Sequence, residues 1–268
     1  MLKRKTVAIL LACFLLALCF SSCAKKEVEY VVLSEPLAEE AFCIGFRKED
    51  NALCQAVEEA LVEMKEDGTL SEIDKKWFGK DVSIVDAANI TQDASDDSLQ
   101  KILDKGQLVL GLDDSFPPMG YRDNENAIVG YDIDLATEVC QRLGVELVLQ
   151  PISWTAKEKE INSGNIDCIW NGFSTNPERE EQLCMSMPYL NNRQVIVTTQ
   201  ELYDDGLDST QALAGRTLVL QGGSTAVDAL SQFPELSASL EGGAAVEVDT
   251  YVLAMFDLSS GGADAVLM

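Results

Sequence analysis

The sequence predicts an α/β fold, and three observations carry that reading. From Leu108 onward, short apolar runs alternate with stretches whose apolar residues recur every three or four positions. Glycines such as Gly68 and Gly144 stand where those helical stretches stop. Finally, 47% of the 268 residues are hydrophobic and only 7 are proline, enough apolar material for one or two cores.

Taken in order, MLKRK is a basic opening and TVAILLACFLLALCF an apolar run shorter than the roughly 20 residues that span a bilayer. SSC follows, so the stretch reads as an export signal. Ser21, Ser22 and Cys23 resemble a bacterial lipobox in which Cys23 becomes the lipid anchor, although Phe20 stands where that motif prefers leucine. Plain signal cleavage and a short anchor are the alternatives. VEYVVL and AFCIGF then read as strands. Asp50 offers an N-cap to a helix carrying Leu53, Val57, Leu61 and Met64 on one face, which Gly68 ends. The spacing of Thr69 and Glu72 predicts a capping box for a second helix that buries Ile73, Trp77 and Phe78. A stretch rich in Asp, Ser, Thr and Asn comes next and reads as a linker.

The alternating part begins with the strand LVLGL. Ile133, Ala136, Val139, Cys140 and Leu143 make an amphipathic helix, VELVLQ a strand, and residues 156 to 162 a helix. IDCIW, RQVIVTT and TLVLQ are strands, and residues 224 to 232 a helix. One echo stands out. INSGNIDCIW and LSSGGADAVLM share Ser-Gly, two variable positions, Asp, a small residue and an apolar pair, so one helix, turn and strand unit occurs twice. Ordinary turn chemistry accounts for the echo equally well.

Composition excludes several chemistries. Twenty Lys plus Arg against 45 Asp plus Glu give a net charge of −25, a field that repels phosphate backbones, so no nucleic acid partner is expected. With no histidine, the commonest general base and metal ligand is missing, and neither a metal nor a cofactor is expected. Beyond Cys13, Cys19 and Cys23, five cysteines remain, at 43, 54, 140, 168 and 184, all within apolar runs and without CxxC spacing. They read as small hydrophobes, with two disulfides as the upper limit.

Two stretches suit a carboxylate. In NGFSTNPEREE, Asn176 caps a helix with Pro177 at its first position, so free amides, the Ser174 hydroxyl and the planar fork of Arg179 can converge on one anion. In LVLQGGSTAVDAL, Ser224 and Thr225 open a helix after two glycines. The same features also join any α/β unit. GGST lacks the lysine of a phosphate-binding loop. DDSFPPMGY follows a strand, where open α/β sheets place ligands, and brings Asp113 and Phe116. Trp154 and Trp170 read as packing residues on their own.

Together these stretches resemble the family 3 extracellular solute-binding proteins, the polar amino acid receptors of ABC importers. LVLGLDDSFPPMGY, IVGYDIDLATEVCQRLG, SGNIDCIWNGFSTNPER, MPYL, LAGRTLVLQGGSTAVDAL and SGGADAVLM occur in the family's order over residues 99 to 268. Residues 35 to 81 resemble the family's C-terminal end, so the chain looks circularly permuted. The resemblance implies a two-lobe periplasmic-binding-protein-like (type II) fold with hinge crossovers and permuted order. Residues 1–23 would be signal and anchor, 24–40 a lobe 2 strand leading to the hinge, 41–85 the C-terminal part of lobe 1, and 86–99 the linker. Residues 100–195 would be the main part of lobe 1, and 196–268 an incomplete lobe 2.

By the same resemblance Arg179 pairs with the ligand's α-carboxylate, assisted by backbone amides at Ser174 and Thr225 with Ser224 close by. Gly172 offers its carbonyl, and Ser174 its hydroxyl, to the α-ammonium. Phe116 and Trp154 stack on the ligand, Asp113 and Asn171 face its side chain, and Phe173 adds an apolar wall. The family places an ammonium-binding aspartate just beyond the equivalent of Met268, followed by a helix, so truncation is expected. The implied function is an extracytoplasmic receptor, anchored through Cys23 to the outer face of the cell membrane. It would be a monomer without catalysis, presenting a small amino acid to the permease subunits of an ABC transporter. The alternatives are a cyclohexadienyl or arogenate dehydratase-like enzyme on the same fold, marked by turnover of a prephenate-like substrate, and a ligand-sensing module.

Overall fold

The protein is described by a computed structural model over residues 28–92 and 94–268. The export signal and Cys23 lie outside the described residues. The alternating segments fold into two large sheets that face each other across a cleft, with a small third sheet of Ser115–Phe116, Gly120–Arg122 and Ile128–Val129. The first sheet runs in the order Leu190–Gln194, Ala38–Arg47, Cys168–Ser174, Gln107–Leu112 and Glu146–Pro151, and Leu183–Met185 also pairs with Ala38–Arg47. Its last three strands are parallel. The second sheet runs Tyr30–Val32, Ile196–Thr199, Ala265–Leu267, Leu218–Gln221 and Val246–Val248. This is the two-lobe architecture of type II periplasmic binding proteins.

Each sheet forms because short aliphatic runs fit a pleated surface buried on both sides. Leu108, Leu110 and Leu112 pack with Trp170, Tyr131 and the helix residues Leu53, Val57, Leu61 and Met64 in the larger core. The smaller core joins Leu33, Ile196, Leu213, Leu218, Leu220 and Leu267. All five described cysteines are free and buried, and burial pushes the Cys43 thiol up to about 12.

The repeated unit is a structural one. Asp167 stands before the strand Cys168–Ser174 and accepts from Val109 N at 2.8 Å, while Asp264 stands before Ala265–Leu267 and accepts from Thr217 N at 2.8 Å. In both lobes the aspartate therefore pins the start of the neighbouring parallel strand.

Two segments cross between the sheets side by side. Leu33 N donates to Ile196 O and Leu37 N to Gln194 O, each at 2.8 Å, and Val195 pairs with Met268. Two adjacent crossovers joining two lobes are the geometry of a hinge.

Three local readings differ from the sequence expectation. Asp50 does not cap the helix Asn51–Asp67, because Arg47 three residues earlier takes its carboxylate at 2.7 Å. The amides of Ala52 and Leu53 instead reach Asp96 Oδ2 and Ser98 Oγ, each at 2.9 Å. Asp96 and Ser98 are thus docked along that helix, and Thr91 N adds a bond to the buried Glu58 at 2.6 Å. The helix Thr69–Phe78 has Gly68 at its N-cap, at φ +91°, and the Thr69 hydroxyl turns back to Asp67 at 2.7 Å, so no capping box forms.

Candidate functional site

The cleft holds a cavity of about 720 Å³ lined from both lobes and from the crossovers. Its first-lobe wall is the strand Cys168–Ser174, which bulges. The ladder passes from Cys43↔Phe173 to Gly45↔Ile169, leaving Trp170, Asn171 and Gly172 opposite Ile44 alone. Gly172 sits at φ +56°, where a Cβ would come within 2.7 Å of the Phe116 ring, so the bulge requires glycine. Its amide donates to Asp132 Oδ2 at 2.6 Å, and Tyr189 Oη donates to Asp132 Oδ1 at 2.8 Å. Complete burial pushes the Asp132 carboxyl up to about 7, and those hydrogen bonds work against the rise.

Arg179 is placed by its helix start. Asn176 adopts extended backbone and accepts from Arg179 N at 2.8 Å, and Pro177 begins the short helix. The guanidinium is 6% exposed and lies 4.3 Å from the Phe173 ring centroid. Nη1 donates to Ser174 O at 2.6 Å in its own lobe, and Nη2 to Gly223 O at 3.1 Å in the other. Burial lowers its pKa, while Glu158, Asp228 and Glu40 oppose that. With five N–H donors and two engaged here, the fork retains donors for an anion in the cleft.

Of the ten residues expected to touch ligand, Asp113, Phe116, Trp154, Asn171, Gly172, Ser174, Arg179, Ser224 and Thr225 line this one cavity. Phe173 does not. It is fully buried with Trp154, Ile161, Ile166 and Leu183, and serves as the floor under Arg179. Several lining residues hold the site rather than face an open position. Asp113 Oδ1 accepts from Ser115 N and Oγ at 3.0 and 2.6 Å, and Oδ2 from Gln221 Nε2 across the cleft at 2.8 Å. Asn171 Oδ1 accepts from Asp113 N at 3.1 Å, while its buried Nδ2 has no partner. Ser224 spends its hydroxyl on Gln221 O at 2.7 Å. Phe116 stacks at 5.4 Å on Tyr251 of the other lobe, and Trp154 stands edge-on to Phe173 at 5.9 Å.

Sequence reasoning missed which residues join the lobes, although it had Asn176 as a helix cap. Lys157 is 2% exposed, and its ammonium donates to Gly223 O at 2.7 Å and Trp154 O at 3.1 Å. Burial lowers its pKa, and Arg179 adds to that. Asn176 Nδ2 reaches Asp228 at 2.7 Å. Gln221 and Tyr251 complete the set. Of Lys157, Gln221 and Tyr251, Gln221 carried a signal, as a polar residue closing an apolar strand before two glycines.

The sequence profile of the bacterial extracellular solute-binding proteins, family 3, matches residues 2–80 and 108–232, well over half of the chain. The chain belongs to this family. Family membership makes it one of a group of extracellular solute-binding proteins, and no helix among the described residues is long and apolar enough to cross a membrane. Cyclohexadienyl dehydratase of Pseudomonas aeruginosa is 31% identical over 111 residues, 41% of each chain. ABC transporter arginine-binding protein 1 of Escherichia coli is 27% identical over 157 residues, 58% of this chain and 60% of that one. The alignments thus cover less than two thirds of either relative's length. A substrate-binding protein of an ABC uptake transporter from Streptococcus pneumoniae, solved with bound histidine, superposes with TM-score 0.62 at 34% identity. That match covers 65% of this chain and 70% of the other.

Proposed function

We propose that the protein is the extracytoplasmic substrate-binding component of an amino acid ABC importer, closing its two lobes on one small amino acid. The observation that carries this is Arg179: a buried guanidinium, stacked on Phe173, hydrogen-bonded to a carbonyl of each lobe, with donors left over beside a cavity. A ligand carboxylate there would repay the burial of that charge, and would draw the second lobe onto the first.

Thermal shift of the exported form against the common amino acids tests the reading, because a ligand at 100 times its Kd adds about 2.7 kcal/mol. At least one should raise the melting temperature; no rise with any of them rejects the receptor. Anchoring at Cys23, action as a monomer and delivery to permease subunits belong to the same reading, as does the absence of catalysis. The permuted order belongs to the same reading and is compatible with the adjacent crossovers, which leave the frame of the two lobes independent of where the chain is opened.

The similarity to cyclohexadienyl dehydratase keeps an enzyme as the second reading. Dehydration needs an acid or base free to exchange a proton with substrate, and both oxygens of the cleft residue Asp113 are occupied. Measurable turnover of a prephenate-like substrate would favour the enzyme.

A further inference from the structure

The cavity has a second pole opposite in sign to Arg179. Three side-chain carboxylates line it: Glu40, Asp81 and Asp113. Both oxygens of Asp113 are taken, and Asp81 lies at the rim, 65% exposed and paired with Lys75. Glu40, on the strand Ala38–Arg47 just past the crossover, is different. Its Oε1 accepts from Asn192 Nδ2 at 2.5 Å and from Gln194 Nε2 at 2.8 Å, while no donor among the described residues reaches Oε2.

Gln194 repeats the pattern. It is 4% exposed and lines the same cavity, and its Nε2 also reaches Thr225 Oγ1 at 3.2 Å. A carboxylate only accepts, so the bond to Glu40 fixes which end of the amide is nitrogen. The carbonyl end, Oε1, is therefore an acceptor, and it is buried without a partner. Leaving a buried acceptor unpaired is unfavourable by about 1–3 kcal/mol, so such groups await a donor. Two open acceptors, one of them charged, share one hydrogen-bonded cluster. Lys80 and Arg193 also line the cavity, but Arg193 is 64% exposed and turned to Glu39. Among the described residues none donates to the open oxygens.

We propose that Glu40 Oε2 and Gln194 Oε1 form the receptor for a cationic nitrogen of the ligand, at the hinge side of the cavity. This rests on the amino acid receptor reading and adds to it the residues that recognise the ligand's positive charge. Asn192 and Gln194 hold Glu40 in place, and Gln194 links it to Thr225 of the second lobe, so the site forms fully only when the lobes are closed.

The α-ammonium and a cationic side chain present the same chemistry, and titration calorimetry of Glu40→Gln with L-arginine and with L-glutamine separates them. Removing the charge weakens a charge-assisted bond by about tenfold or more. If the site takes the α-ammonium, both ligands lose about that factor; if it takes a side-chain cation, only L-arginine does. Affinities within twofold of the unsubstituted protein for every ligand it binds overturn the proposal. Should Glu40→Gln not fold, Glu40→Asp keeps the charge but withdraws it by one methylene, and it must also weaken binding for the proposal to stand. Failure of the unsubstituted protein to bind any amino acid overturns the receptor reading itself, and this inference with it.

Discussion

The two lobes build the cleft from the same repeated unit and contribute different chemistry to it. After the first copy the chain continues into a bulged strand and a capped helix, and so supplies Arg179, Asn171, Gly172 and Ser174, with Asp132 fixing the bulge from behind. Beside the second copy the parallel strand Leu218–Gln221 supplies Gln221, the Gly223 carbonyl, and Ser224 with Thr225, all neutral. The charge proposed to hold an anion therefore sits on the lobe with the larger core, and the strand end and helix start of the second lobe meet it with dipoles. A charged half that carries the guanidinium, and a closing half that offers it a carbonyl and hydroxyls with Asp228 reaching Asn176 beside it, would let one lobe hold specificity while the other moves.

The largest effect should come from breaking the charged half. Arg179→Ala removes the anion contact and leaves a void over Phe173, and amino acid binding should fall at least a hundredfold in a calorimetric titration. Gly172→Ala comes next. The side chain would enter Phe116 at a backbone angle that disfavours it, costing roughly 1–3 kcal/mol of stability in denaturant unfolding and weakening affinity as well.

The closing half, and the bridge that reaches it from the first lobe, should be gentler to perturb. Lys157→Met removes the ammonium that bridges to Gly223, and should weaken binding by roughly three- to tenfold while leaving the unliganded melting temperature nearly unchanged. Unaltered affinity would mean that the bridge does not favour closure. Ser224→Ala should be smallest, about 1 kcal/mol of stability, because its hydroxyl accepts from Ala226 N as a cap.

A pH series sharpens the same comparison from inside the charged half. The carboxyl of Asp132 stands near 7 when folded, against an ordinary aspartate value of 3.8, so the folded state binds its proton more tightly. That contribution to stability is complete below the ordinary value and is lost as pH rises through about 7. The melting temperature should thus decline between pH 5 and 8 by more in the unsubstituted protein than in Asp132→Asn, and equal slopes would remove Asp132 as the cause.

What could be read from the sequence divides along the range of the interactions. Asn176, Pro177 and Arg179 were legible because cap, first turn and guanidinium lie within four residues, and Ser224 with Thr225 for the same reason. Gly172 was legible as a ligand position only through the family resemblance; the bulge that demands a glycine depends on register with a strand some 130 residues earlier. Lys157 was not legible at all, since KEKE describes an exposed helix start as well as it describes a buried ammonium. Asp50 misled because a competing cation three residues away is stronger than a cap. Residues 86–99 were read as a linker from composition, yet Asp96 and Ser98 carry the cap that Asp50 does not. Phe173 was expected as an apolar wall of the pocket, and the chain turns its ring inward to carry Arg179.

The most direct test of the account compares an amino acid that binds with its methyl ester, which keeps the ammonium and side chain but lacks the carboxylate charge. The unsubstituted protein should bind the acid at least a hundredfold more tightly than the ester, and Arg179→Ala should bind both weakly and nearly alike. An ester that binds the unsubstituted protein as tightly as the acid would contradict the claim that the two lobes close on a carboxylate held by Arg179.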